Sequence, residues 1–188
     1  MPINKELFIS ETAYGESQSS RNYWKNNRNK LDDLYPSERY FIEPAIKCAK
    51  YVLDVGCAAG GSFDFCKEAK SNIDYTGIDI SKELIDIAKE FYPKGLFFVY
   101  DGHEIIFEEN KFDLVFSIGV VHHLQHWRRI IKQMVKCSSK STIFDIRLTK
   151  KETLDNDKKY YQYVKFDEKL KNKTAISYLV INIDEFKN

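Results

Sequence analysis

Val52-Leu53-Asp54-Val55-Gly56-Cys57-Ala58-Ala59-Gly60-Gly61 is the stretch on which the fold turns: an apolar run carrying an acidic residue passes into small residues ahead of a helical pattern. Glycine at 56 and 60 admits positive φ and leaves no side chain between the main chain and a ligand. The helix that follows offers unsatisfied N–H groups at its start. A strand, loop and helix of this kind suit a nucleotide-like ligand, and a simple tight turn would ask for the same two glycines.

Working outward, short apolar runs recur at Tyr51–Val55, Tyr75–Ile78, Leu96–Tyr100, Phe112–Phe116 and Thr142–Ile146. None alternates cleanly, as expected of parallel strands covered on both faces. Helical patterns at 61–70, 81–92 and 124–136 separate most of them, and Ser81 followed by Glu83 and Leu84 gives the middle one a capped start. Pro36-Ser37-Glu38 opens a further helix whose broad apolar face (Tyr40, Phe41, Ile42, Ala45, Ile46, Ala49) would cover the sheet, with Pro44 able to kink it. Strand and helix in alternation predict an α/β fold: a doubly wound, mostly parallel, Rossmann-like sheet with helices on both faces.

Residues 1–35 are polar and rich in Asn and Ser, and form an N-terminal arm; residues 36–188 form a single domain. After Leu148 the pattern weakens. Residues 160–166 and 174–183 read as strands that could pair as a C-terminal antiparallel hairpin; alternatively the chain is abbreviated there, with Asp184-Glu185-Phe186 opening an incomplete helix.

Composition narrows the class. In 188 residues, 43% apolar, 29 basic side chains balance 28 acidic ones, so the net charge of +1 provides no field to draw in nucleic acid. Cys48, Cys57, Cys66 and Cys137 are too far apart for a Cys-x-x-Cys pair and read as reduced, mostly buried thiols. No stretch approaches the roughly 18 apolar residues of a membrane span, and the polar N-terminus lacks a signal core. The expectation is a cytoplasmic protein without a membrane partner.

Two more acidic residues join the glycine loop on one rim. Asp79 closes Tyr75-Thr76-Gly77-Ile78-Asp79, about 20 residues past the loop, where a carboxylate can accept hydrogen bonds from both hydroxyls of a ribose or, alternatively, cap the helix near Ser81. Asp101 ends Phe97-Phe98-Val99-Tyr100-Asp101-Gly102, where it could receive an adenine amino group or sit in a solvated turn. Three such strand ends form the crevice where open α/β sheets bind ligands.

In these residues the chain resembles the class I S-adenosylmethionine-dependent methyltransferases. VLDVGCAAGG is similar to the family's first motif, YTGIDIS to its ribose-binding strand, FVYDGHE to its adenine-contacting turn, and FDLVFSIGVVHHL to its fourth strand and following loop. The resemblance implies the strand order 3-2-1-4-5 and S-adenosylmethionine as cofactor, held by Asp54, Gly56, Cys57, Ala58, Gly60, Asp79, Ile80, Asp101, Gly102, Ser117 and Ile118. It departs at Ala58, where the family commonly has glycine. The segment RNYWKNNRNKLDDLYPSERYFIEP is similar to the start of methyltransferases of bacterial polysaccharide biosynthesis.

The expected reaction is methyl transfer to a hydroxyl of a small molecule or saccharide precursor, since no Asp/Asn-Pro-Pro-aromatic motif follows the fourth strand. His122 or His123 would serve as base, or else only pack, while His126 would lie at the surface. Tyr14, Tyr23 and Trp24 would close over the acceptor as a lid, or pack on the sheet. Two other readings compete: a cofactor-binding protein without turnover, and an NAD-dependent oxidoreductase, against which the Gly-x-x-x-Gly spacing and Asp54 count. No metal is expected, because Asp101, Asp113 and Asp145 lack a diagnostic spacing.

Overall fold

The computed structural model describes residues 23–24, 28–154, 162–164, 174–176 and 178–187. Its centre is a five-stranded, all-parallel sheet: β1 (Tyr51–Val55), β2 (Asp74–Asp79), β3 (Leu96–Val99), β4 (Phe112–Ser117) and β5 (Ser138–Phe144), in the order β3-β2-β1-β4-β5. Strand order, direction and helix placement are those expected from the sequence, but the first helix buries a narrower face than expected: Ile42 and Ile46 are covered, whereas Tyr40 and Phe41 are exposed.

Alternation along each strand sends side chains to opposite faces, and each face has its own core. Val52, Leu114 and Phe116 pack on α1 (Pro36–Cys48), α2 (Ser62–Ala69) and α3 (Lys82–Phe91) through Ile42, Ile46, Phe65, Ile85 and Ala88. Leu53, Val55, Ile78 and Val115 pack on α4 (Trp127–Cys137) through Trp127, Ile130 and Met134. Proline at the first position of α1 suits a site whose N–H needs no helical partner. Ser81 caps α3, its Oγ accepting from Leu84 N at 3.3 Å.

The sequence misplaces two boundaries. β5 begins at Ser138, directly after α4, and not at Thr142, because its first half carries exposed or half-exposed Ser and Lys at a sheet edge and leaves no apolar signal. The stretch 174–183 is not one strand. Thr174–Ile176 (β8) pairs antiparallel with Gln162–Val164 (β7) as the hairpin foreseen, in a two-stranded sheet of its own. Ile181–Asn182 (β9) runs parallel to Leu148–Thr149 (β6), and Ile183–Lys187 forms a last short helix, α5. Leu179 and Ile181 join the α4-side core, so this returning segment seals the sheet's second face. Among the described residues no helix is long and apolar enough to cross a membrane.

Candidate functional site

The carboxyl ends of β1, β2 and β4 open on a small, mostly apolar cleft of ≈ 90 Å³. Gly56 and Ala58 form one side, Asp79 and Ile80 the floor, Gly102 the far end, and Ile118, Gly119 and His123 the opposite wall. A second chamber of ≈ 250 Å³ adjoins it, sharing Gly56, Ala58, Ile118, Gly119 and Trp24 and adding Asp54, Cys57, Arg28 and Tyr23.

The turn after β1 is set by backbone needs. Gly56 has φ 84°, and Gly56 and Cys57 both donate to Ile78 O, at 2.8 and 3.1 Å. Ala58 sits at φ 47°, a left-handed conformation that costs an L-residue about 1–2 kcal/mol. The departure from the family pattern noted in the sequence therefore falls on the residue of the loop where glycine would be easiest.

Asp79 holds that loop in place. It is buried, with Oδ2 accepting from Ala58 N and Oδ1 from Ser81 N, both at 2.9 Å, and burial raises its pKa against the pull of those N–H groups. Helix capping, its alternative role, belongs to Ser81. Asp54 is only 2% exposed and accepts from Tyr75 Oη at 2.7 Å. Burial pushes it up to about 7, opposed by hydrogen bonds from Tyr75 and Ser62.

Other expected residues take different places. Asp101 is exposed and does not line the cleft; Oδ1 accepts from His103 N at 2.8 Å and Glu104 N at 2.9 Å, which lowers its pKa. Its neighbours Tyr100 and Gly102 are the residues of that turn that face the cleft. Ser117 is fully buried and ties β4 to β1, its Oγ donating to Val55 O at 2.8 Å. Gly60 faces Tyr92, Ala88 and Phe97, so its missing side chain serves helix packing. Cys57 is buried against Gly77, and burial raises its thiol pKa.

The two histidines part company. His123 lines the cleft, whereas His122 lies behind it, 5% exposed, its ring 4.1 Å from that of His123 and 5.2 Å from that of Tyr178. His122 Nδ1 has no hydrogen bond; Asp145 Oδ2, at 3.5 Å, is too distant for a good one. Burial, with the nearby charges of His123 and Arg147, depresses His122 to about 3 and keeps it neutral near pH 7. His126 is not a surface residue: it is half-buried, with Nε2 2.6 Å from Gly102 O.

Trp24 touches both chambers, Tyr23 only the second, and the two rings meet edge to face at 5.0 Å. Tyr14 lies outside the described residues. Sequence reasoning passed over Gly119, at φ 75°, whose N–H donates to Asp145 Oδ1 at 2.6 Å and so fixes the wall after β4. The glycine two residues past a strand end was the available signal. Asp113 lies elsewhere, accepting from Lys50 N and Tyr51 N where β1 begins. Among the described residues no group of three or more His, Cys, Asp or Glu side chains could hold a metal.

The donor set fits an adenosyl group. Asp79 Oδ2 and Oδ1 accept from Ala58 N and Ser81 N, and Ile80 N–H is a third backbone donor to this carboxylate, which with about four lone-pair sites keeps acceptor capacity for a ribose hydroxyl. Ile80, Leu84, Ile118 and Leu124 supply apolar walls for a base.

Residues 53–144 match the family model described as a methyltransferase domain. A probable (S)-tetrahydroprotoberberine N-methyltransferase 2 from Papaver bracteatum is 31% identical over 131 residues, covering 66% of this chain; the chain spans 37% of that relative's length. The PH0226 protein of Pyrococcus horikoshii OT3 superposes with a TM-score of 0.53 at 22% identity, covering 69% of this chain and 66% of that one. The plantazolicin methyltransferase BpumL, solved with a triazolic desmethylPZN analog and SAH, gives 0.52 at 19% identity, covering 74% and 58%. At these identities the two structures speak to the fold alone. With their sheet order, glycine-bearing rim and this family match, residues 53–144 form a methyltransferase domain of the class I, S-adenosylmethionine-dependent kind.

Proposed function

We propose that the domain binds S-adenosylmethionine in the cleft at the carboxyl ends of β1, β2 and β4 and transfers its methyl group to a hydroxyl of a small molecule or saccharide precursor. The observation that carries this reading is Asp79: a buried carboxylate that lines the cleft and keeps acceptor capacity beyond the backbone N–H groups it holds.

The cofactor brings a methyl group already activated on a sulfonium, so alignment and a deprotonated acceptor are the main demands on the protein. Asp79 would take the ribose hydroxyls. Gly56 and Ala58 would present main chain to the rest of the cofactor, and Asp54, beside Arg28 in the second chamber, lies where its methionine part would reach. Trp24 borders both chambers and would exclude water from the acceptor. His123 is the base candidate that faces the cleft, and His122, held neutral by burial, packs behind its ring with centroids 4.1 Å apart.

Titration calorimetry with S-adenosylmethionine, S-adenosylhomocysteine and NAD, on the wild type and on Asp79→Ala, tests the cofactor. The expected result is homocysteine-product binding that weakens at least tenfold in the variant, as loss of hydrogen bonds to a charged group requires. Preference for NAD would overturn the reading. Transfer of labelled methyl to a panel of hydroxyl acceptors tests the reaction, and binding without transfer to any of them would favour a cofactor-binding module instead.

A further inference from the structure

We propose that His126 and Gln133, two side chains of the α4 region with no expected role in methyl transfer, are positioning residues that fix the 102–105 turn as the adenine-side end of the cleft. The inference rests on the cofactor reading above. His126 Nε2 lies 2.6 Å from Gly102 O. One turn pair further along the helix, Gln133 Nε2 donates to His103 O at 2.7 Å, and its Oε1 accepts from Ile105 N at 2.6 Å. From inside the turn, Asp101 Oδ1 accepts from His103 N and Glu104 N. The His103 and His126 rings lie 4.9 Å apart.

Five backbone groups between Gly102 and Ile105 are thus held by three side chains, and two of those side chains come from one helix. The turn needs such help, because it has no strand partner of its own: β3 ends at Val99, and Gly102 adopts φ 78°. Gly102 and Tyr100 face the cleft, whereas Gln133 does not line it, so Gln133 acts through the turn and not by contact with a ligand. α4 is itself anchored in the core by Trp127, Ile130 and Met134. The clamp therefore ties this end of the cleft to a helix buried in that face's core, and a preformed turn loses less freedom when a ligand docks.

The test is calorimetric titration of the full chain with S-adenosylhomocysteine and with its inosine counterpart, alongside amide hydrogen exchange at Ile105 and thermal melts. Gln133→Leu removes both hydrogen bonds. Gln133→Glu keeps the acceptor for Ile105 N–H and loses the donor to His103, and His126→Gln keeps a donor for Gly102 O. Gln133→Leu should weaken S-adenosylhomocysteine binding about tenfold, speed exchange at Ile105, and narrow the preference for adenosine over inosine. His126→Gln should bind close to wild type. If Gln133→Leu does not fold, Gln133→Glu should show the same changes at smaller size. Wild-type binding that is unchanged in both Gln133 variants, while Ile105 exchange rises, would overturn the clamp alone; no binding by the wild type would overturn the cofactor reading and the clamp with it.

Discussion

Replacing Gly56 by alanine tests the rim geometry most directly. A Cβ built there lies 2.3 Å from Val120 Cγ2 and 3.3 Å from Val120 Cβ and Cγ1, and the residue would hold φ 84°. The backbone cannot easily retreat, because Gly56 N and Cys57 N both donate to Ile78 O. Left-handed φ costs an L-residue about 1–2 kcal/mol, and overpacking about 1–3 kcal/mol. Together they reach about 2–5 kcal/mol against a total stability of about 5–15 kcal/mol. For a chain of this size the melting temperature should fall by at least about 4 °C, and S-adenosylhomocysteine binding should weaken as Val120 is pushed into the cleft. Val120→Ala in the same chain removes the Cγ atoms but not the backbone strain, so it should restore part of the loss and no more. A single variant melting within about 1 °C of wild type, or a double variant no better than the single, would refute the geometry.

Three further outcomes are expected. Ala58→Gly should relieve the left-handed strain at 58 and, after the added freedom of the unfolded chain, stabilise by about 0.5–1 kcal/mol, read as a rise of about 1–4 °C in melting temperature; a fall would contradict the φ of 47°. Asp54, pushed to about 7 by burial from an unfolded value near 3.9, keeps its proton longer in the folded state. Its contribution to stability therefore falls as pH rises through that window, by at most about 4 kcal/mol, and Asp54→Asn should flatten the slope in urea titrations. His122, held at about 3 by burial against an unfolded 6.5 or so, has the opposite sign: stability falls as pH drops below about 6.5, and His122→Gln should remove that fall.

The parallel sheet was legible because short, mostly apolar runs without clean alternation recur between helical patterns, and the rim was legible because Gly56 and Asp79 sit where two of those runs stop. What escaped was set by tertiary partners. Asp101 is a strand-end acid in sequence, but its side chain turns to His103 N and Glu104 N and away from the cleft. His122 and His123 are adjacent in sequence, and only the packing of Tyr178 and Leu179 decides which is buried behind the other. His126 reads as a polar residue before a helix until the carbonyl of Gly102 is found beside it. The edge strand β5 lost its first half to the same cause, since an exposed edge needs no apolar residues.

A common feature joins Asp79, Asp101 and Asp145: each carboxylate first holds the protein's own backbone. Asp79 binds Ala58 N and Ser81 N, Asp101 binds His103 N and Glu104 N, and Asp145 binds Gly119 N. These are the loops after β1, β2, β3 and β4, so the walls of the cleft are fixed by charge-assisted hydrogen bonds before any ligand arrives. Removing such a carboxylate loosens a wall as well as a contact, and a loss of affinity in Asp79→Ala alone would not separate the two. The separation lies in the melt without ligand: a wall-building carboxylate lowers it when removed, whereas one that only met the ribose would leave it unchanged. Asp79, which is both buried and doubly bonded, should lower both.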